Sequence, residues 1–65
     1  MESTTMISVG YDPEMRTLEI EFTGGTIYQY LDVPELFFQG LLAAESKGRY
    51  FNLVIKPYGF KYRKP

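Results

Sequence analysis

Hydrophobic and polar residues alternate along the first half of the chain, with the period of a β-strand that buries one face. The alternation occurs in three runs, at residues 6–11, 16–22 and 26–32. Asp12-Pro13 and Gly24-Gly25 separate these runs. Both pairs are typical of tight turns, because proline presets its φ and glycine accepts a positive φ. We therefore predict a three-stranded antiparallel meander.

The length of the glycine turn decides which face of the sheet Tyr28 and Tyr30 occupy, because a one-residue shift in register exchanges the two faces. A two-residue loop places both tyrosines on the outer face of the sheet. A three-residue loop, with Gly25 in the left-handed conformation, places them on the core face. We favour the three-residue loop, because the alternative sets Gln29 against Ile20 in the core. In that register the two tyrosines are mainly structural.

The pattern changes to a helical period after the third run. Pro34 suits the first turn of a helix over residues 34–45, where its missing N–H is no loss, and Asp32 lies near enough to cap it. One face of this helix is expected to lie on the sheet, with Gly40 allowing close approach; that face comprises Phe37, Leu41 and Ala44. Two apolar residues at its edge need cover from the later chain or another subunit, namely Phe38 and Leu42.

Residues 46–56 fit two structures. As a helix capped by Ser46, they place four apolar residues on one arc, Tyr50, Phe51, Val54 and Ile55. As a strand, alternate residues from Phe51 to Ile55 are apolar. We favour the helix, ended by Pro57. The predicted fold is α+β, a βββαα arrangement with a short C-terminal extended segment. It comprises a flexible N-terminus at residues 1–5, one domain at 6–62 and a tail at 63–65.

Composition narrows the function classes. The chain has 65 residues and neither Cys nor His, so it lacks disulfides, thiolate or imidazole metal ligands, and the usual bases and nucleophiles at neutral pH. Glu19 and Glu21 share a strand face as ordinary surface carboxylates, and the adjacent Ser46 and Lys47 point in different directions on a helix. We therefore predict a protein that is not an enzyme and needs no metal or cofactor.

No apolar run approaches the roughly 20 residues that a bilayer requires. The first residues lack the basic and apolar segments of a signal peptide. We expect a cytoplasmic location and no membrane partner.

Charge is strongly divided along the chain. Residues 1–46 hold all eight acidic residues and one basic residue, Arg16. The rest of the chain has no acidic residue and six basic ones: Lys47, Arg49, Lys56, Lys61, Arg63 and Lys64. Such asymmetry suggests a surface for a polyanion, an electrostatic clasp between the two parts, or simply a solvated basic tail.

An ordered set of short motifs runs through nearly the whole chain. It comprises Val9-Gly10-Tyr11-Asp12, Leu18-x-Ile20-x-Phe22, Gly25-x-x-Tyr28-x-Tyr30, Val33-Pro34 and Ala44-x-Ser46-Lys47-Gly48-Arg49-Tyr50-Phe51. This set resembles the KTSC domain, a family named for its place at the C-terminus of some lysyl-tRNA synthetases and also found as stand-alone bacterial or phage proteins. The resemblance makes Tyr28 and Tyr30 the family signature. It implies no established activity, although the synthetase context suggests RNA binding. The apolar Leu53-Val54-Ile55 departs from the basic, polar segment common in the family.

Two function classes remain open. In the first, the domain binds RNA or another single-stranded nucleic acid through the six basic residues, with Tyr50, Phe60 or Tyr62 stacking on bases. The candidate site is Lys47, Arg49, Tyr50, Lys56, Lys61, Tyr62, Arg63 and Lys64. In the second, it is a protein-interaction module or a homodimer that uses Phe38, Leu42 and Leu53–Ile55. Rising salt weakens the first kind of contact and preserves the second.

Overall fold

The computed structural model describes residues 6–65, so the flexible N-terminus predicted for residues 1–5 lies outside the described residues. A four-stranded antiparallel sheet has the order β1-β2-β3-β4. Its strands are β1 (Met6–Asp12), β2 (Thr17–Phe22), β3 (Thr26–Tyr30) and β4 (Tyr62–Arg63). The predicted α+β meander is confirmed. The predicted C-terminal extended segment is β4, which includes Arg63 from the segment that we assigned to the tail.

The hairpin between β2 and β3 has the favoured register. Leu18 pairs with Tyr30, and Ile20 pairs with Tyr28. Gly25 has a φ of 84°, in the left-handed region, and its N–H donates to the Phe22 carbonyl at 3.1 Å. The three-residue loop is therefore confirmed, and Tyr28 and Tyr30 lie on the core face of the sheet.

The turn between β1 and β2 depends on Asp12. Its Oδ1 accepts hydrogen bonds from the backbone N–H groups of Glu14 at 3.0 Å and Met15 at 3.3 Å. An aspartate that bonds the backbone two or three residues ahead stabilises a turn without any help from the strands.

The chain between β3 and the first helix, α1 (Glu35–Ala43), differs from the prediction at its cap. Pro34 is the N-cap and forms no side-chain cap bond. Asp32, expected to cap, instead has a φ of 55° in the loop before the helix. The Tyr11 hydroxyl secures this loop by donating to the Val33 carbonyl at 2.5 Å. Tyr11 also stacks on Phe38 at 5.4 Å between ring centroids, so β1, which the prediction did not name, covers one side of the half-buried Phe38.

The second helix, α2, covers residues 47–58. An α-helical turn at Lys47–Tyr50 leads into a π-helical segment at Phe51–Ile55 and a last α-helical turn at Lys56–Tyr58. Ser46 caps it as predicted, with its side chain accepting from the Arg49 N–H. The prediction that Pro57 ends the helix is wrong. A proline ring normally clashes with the carbonyl four residues earlier, and the wider π turn before Pro57 relieves that crowding.

The core lies between the two helices and one face of the sheet. Six residues are buried there: Leu18, Ile20, Val33, Leu41, Phe51 and Ile55. Full burial of such a side chain contributes about 1.5–3 kcal/mol. Half-buried aromatic rings from both layers surround this group.

Gly40 of α1 lies against Tyr50 of α2. A Cβ built on Gly40 would collide with the Tyr50 hydroxyl and lie 2.7 Å from Tyr50 Cζ. Gly40 was predicted to allow close approach to the sheet; the close neighbour is instead a side chain of the second helix.

We expect Gly40→Ala to destabilise the fold by on the order of 1 kcal/mol, because overpacking at about 1–3 kcal/mol exceeds the helix-propensity gain of about 1 kcal/mol. In a Tyr50→Leu background the collision is gone, so the same substitution should be neutral or stabilising. Urea unfolding of the four proteins measures both effects. An equal cost in both backgrounds would contradict the contact.

We expect Gly25→Ala to cost about 1 kcal/mol, because alanine is strained at a positive φ. Gly10→Ala in β1 is the matched control, since its Cβ would meet no atom within 4 Å and its φ is not positive. The two midpoints of urea unfolding should differ, with only the Gly25 variant lowered. Equal midpoints would exclude strain at the turn.

Candidate nucleic-acid interface

The basic C-terminal segment, residues 61–64, forms one edge of the sheet. Gln29 pairs with Arg63 and Tyr30 with Tyr62, and the Leu31 N–H donates to the Lys61 carbonyl at 2.8 Å. Side chains alternate along an extended strand. Lys61 and Arg63 therefore belong to the outer face of the sheet, and Tyr62 and Lys64 to the core face. We call these four residues, Lys61, Tyr62, Arg63 and Lys64, the β4 edge.

Tyr62 joins the aromatic cluster built by Tyr28 and Tyr30. Its ring centroid lies 5.2 Å from that of Tyr28, edge to face, and 5.4 Å from that of Tyr30. Tyr30 in turn contacts Phe51 of α2 at 5.5 Å. Such pairs contribute about 0.5–1.5 kcal/mol each beyond the area they bury. The two signature tyrosines thus connect the core to an outer ring, Tyr62, that is 58% exposed.

Two of the three charged side chains of the β4 edge contact residues of β3. Arg63 Nε donates to Gln29 Oε1 at 2.8 Å. Lys64 Nζ lies 5.7 Å from the Tyr28 ring centroid, within cation–π range. Within residues 6–65, no salt bridge ties the cations of this edge to the glutamates of the sheet.

The other predicted site residues lie on α2. Lys47 and Arg49 are exposed in its first turn, and Lys56 is exposed near its end. Tyr50 is half-buried with its hydroxyl against Gly40, so its ring serves the packing between the helices. The structure therefore brings four of the eight candidate residues together at one edge of the sheet, in and beside β4, and distributes the rest along a helix.

The contact surface of the alternative hypothesis changes at two residues, Ile55 and Phe38. Ile55 is 1% exposed and belongs to the core, so it cannot contact a partner. Leu42, Leu53 and Val54 remain exposed, whereas Phe38 is half-buried beneath Tyr11.

We did not predict Gln29 as a residue of the candidate interface. The indication in the sequence was the favoured hairpin register, which places Gln29 on the outer face of the sheet. Its contact with Arg63 depends on the pairing of β3 with a two-residue strand, and so short a strand has no periodicity to detect.

In the part of the chain that the structure describes, no helix is long and apolar enough to cross a bilayer. The same residues contain no group of three or more carboxylate, imidazole or thiol side chains that could hold a metal ion.

Burial, with smaller contributions from the neighbouring Tyr28 and Tyr62, raises the pKa of Tyr30 to about 12. An unfolded tyrosine ionises near 10. The folded state therefore holds the Tyr30 proton when the unfolded state has lost it. Stability from this group is complete below pH ~10 and is lost as pH rises toward 12.

We expect a Tyr30→Phe variant to lose less stability than the wild type between pH 10 and 12. Urea midpoints across this range give the comparison, and Tyr58→Phe, which removes an exposed hydroxyl, serves as the control. Parallel curves for wild type and Tyr30→Phe would contradict a raised pKa.

Comparison with known proteins agrees with this architecture. The sequence model of the KTSC domain matches residues 2–60. The crystal structure of a KTSC domain protein from Yersinia pestis superposes with a TM-score of 0.85 at 48% identity, covering 100% of this chain and 90% of that one.

Two kinds of protein occur among the sequence relatives. An uncharacterised protein of Stutzerimonas stutzeri (strain A1501) is 47% identical over 62 residues, 95% of this chain and 87% of its own length. A lysine–tRNA ligase of Nostoc sp. (strain PCC 7120) is 46% identical over 52 residues, which are 80% of this chain and 9% of the ligase. Sequence, fold and relatives agree that this chain belongs to the KTSC domain family.

Proposed function

We propose that this domain is a non-enzymatic accessory module that binds single-stranded RNA through the β4 edge. The observation that carries the proposal is the exposed ring of Tyr62 at the edge of the sheet, with Lys64 on the same face and Lys61 and Arg63 on the other face of that edge. Phosphates supply most of the affinity in nucleic-acid binding, and unpaired bases stack on aromatic rings. The β4 edge offers a group for each.

The packing of Tyr62 against its neighbours favours the stacking of a base on its ring. Tyr28 and Tyr30 hold its ring by edge and tilted contacts, which leaves more than half of its surface to solvent. A ring held in place loses little rotational freedom when a base stacks on it, so more of the stacking energy remains as affinity. Stacking of one base contributes about 1–3 kcal/mol.

The relatives give independent support. Lysine–tRNA ligases act on an RNA, and segments similar to this chain occupy about a tenth of their length. A small domain joined to such an enzyme is close to RNA during its work.

Charge reversal at the β4 edge tests the proposal. We expect Lys61→Glu/Lys64→Glu to weaken binding of a fluorescently labelled 12-nucleotide RNA by at least tenfold in an anisotropy titration. The matched control is Lys47→Glu/Lys56→Glu, which changes net charge equally on α2 and should lose less than threefold. Absence of binding by the wild type at low salt, or equal losses in both variants, would overturn the proposal.

Two further measurements separate the ring from the charges. Tyr62→Ala should weaken binding by roughly 5- to 150-fold, the equivalent of one lost stack, with the fold checked by urea unfolding. The logarithm of wild-type affinity should fall with the logarithm of salt concentration with a slope near −2, as three cations on a single strand imply. A slope near zero would favour apolar contact instead.

A further inference from the structure

A groove crosses the outer face of the sheet, opposite the core. It has a volume of about 260 Å³ and is lined by Gly10, Met15, Thr17, Glu19, Gln29 and Arg63, with Tyr11 and Asp12 at its end. Gly10, Glu19, Gln29 and Arg63 stand side by side on the four strands, because each is the pairing partner of the next. The groove therefore follows one row of the sheet from edge to edge.

The floor of the groove is free of side chains at Gly10. A Cβ built on Gly10 would meet no atom within 4 Å, so β1 leaves a space at this row where the neighbouring strands carry side chains. The Asp12 turn holds the loop that carries Met15, whose side chain provides an apolar wall. The missing side chain of Gly10 thus leaves the floor of the groove free, and Met15 supplies one wall.

The polar groups of the groove are separated by type. The Glu19 carboxylate can only accept hydrogen bonds. Gln29 Oε1 is occupied by Arg63 Nε, so Gln29 presents its amide N–H groups and Arg63 its remaining guanidinium N–H groups, which are all donors. Adjacent strands lie about 4.8 Å apart. The Glu19 carboxylate therefore stands one strand from Gln29 and two strands, roughly 10 Å, from Arg63, a separation that a flat purine ring with a hydrogen bond at each edge can span.

We propose that this groove binds a guanine base. Guanine presents two adjacent N–H donors, N1 and N2, on one edge, where a carboxylate can accept from both. Its other edge presents the acceptors O6 and N7, which a guanidinium group recognises in many nucleic-acid complexes. Adenine places the N1 acceptor where the carboxylate lies, and the two negative poles repel.

This inference rests on the proposed function, because the bound RNA would supply the guanine base. Arg63 belongs both to the β4 edge and to the groove, so a strand held at the edge has a base within reach of the outer face. The domain would then prefer single-stranded RNA with a guanine at one position, and the chemistry of the groove would be the same toward free guanosine monophosphate.

The oligonucleotide experiment compares two labelled 12-nucleotide RNAs, a uridine run with one central guanine and the same run with one central adenine. Wild-type protein should bind the guanine RNA at least tenfold more tightly. Glu19→Gln, which exchanges one acceptor oxygen for a donor, and Gly10→Val, which fills the floor, should each bring the ratio close to one. Glu21→Gln is the matched control on the same strand and face, and should keep the wild-type ratio.

Amide resonances observed by NMR during addition of free nucleotide provide the second measurement. Guanosine monophosphate should shift the Gly10 and Gln29 resonances of the wild type, and adenosine monophosphate should not. Equal affinities for the two RNAs overturn the guanine site and leave the proposed function in place. Failure to bind any RNA overturns the proposed function, and the nucleotide shifts then decide on the guanine site separately.

Discussion

The register of the β2–β3 hairpin is the constraint on which the rest of the structure depends. Gly25 in the left-handed conformation sets a three-residue loop, and the loop assigns every residue of β3 to a face. Tyr28 and Tyr30 then extend the core, while Gln29 joins Glu19 on the outer face. A shift of one residue would exchange these roles and leave an amide in the core. The conformation of this loop, with Gly24 and Gly25 both at positive φ, thus decides which residues of β3 face the core and which lie on the outer face.

The strands were predictable because their hydrophobic period is regular and their turns contain residues with restricted or unusual φ values. The first helix was predictable from its apolar face, but its cap was not. The carboxylate of Asp32 could accept hydrogen bonds from the first N–H groups of the helix. Asp32 nevertheless lies two residues before the N-cap, Pro34, and its positive φ of 55° is not the extended conformation of a capping residue. Local propensity identifies such an element more reliably than it fixes its ends.

The candidate site was predictable in its residue types and not in its grouping. The six basic residues are evident from charge alone, yet only the pairing of β4 with β3 brings Lys61, Arg63 and Lys64 to one edge of the sheet. Ile55 was given two roles that exclude each other. The predicted helix placed it on the apolar arc with Phe51, where it is buried, whereas the alternative contact surface required it to be exposed. The π-helical winding of this segment had no signal in the sequence pattern.

The π-helical segment also has a consequence for the proline that follows it. An i to i+5 bond closes one more residue into a turn than an α-helix does. Loss of a single residue between Phe51 and Ile55 would convert the wide turn into an ordinary α-helical one, and the residues that follow would keep nearly the same direction because the lost residue is the one that widened the turn. The ring of Pro57 would then meet the carbonyl four residues earlier without the extra space. The additional residue of this segment is therefore what allows a proline inside the helix.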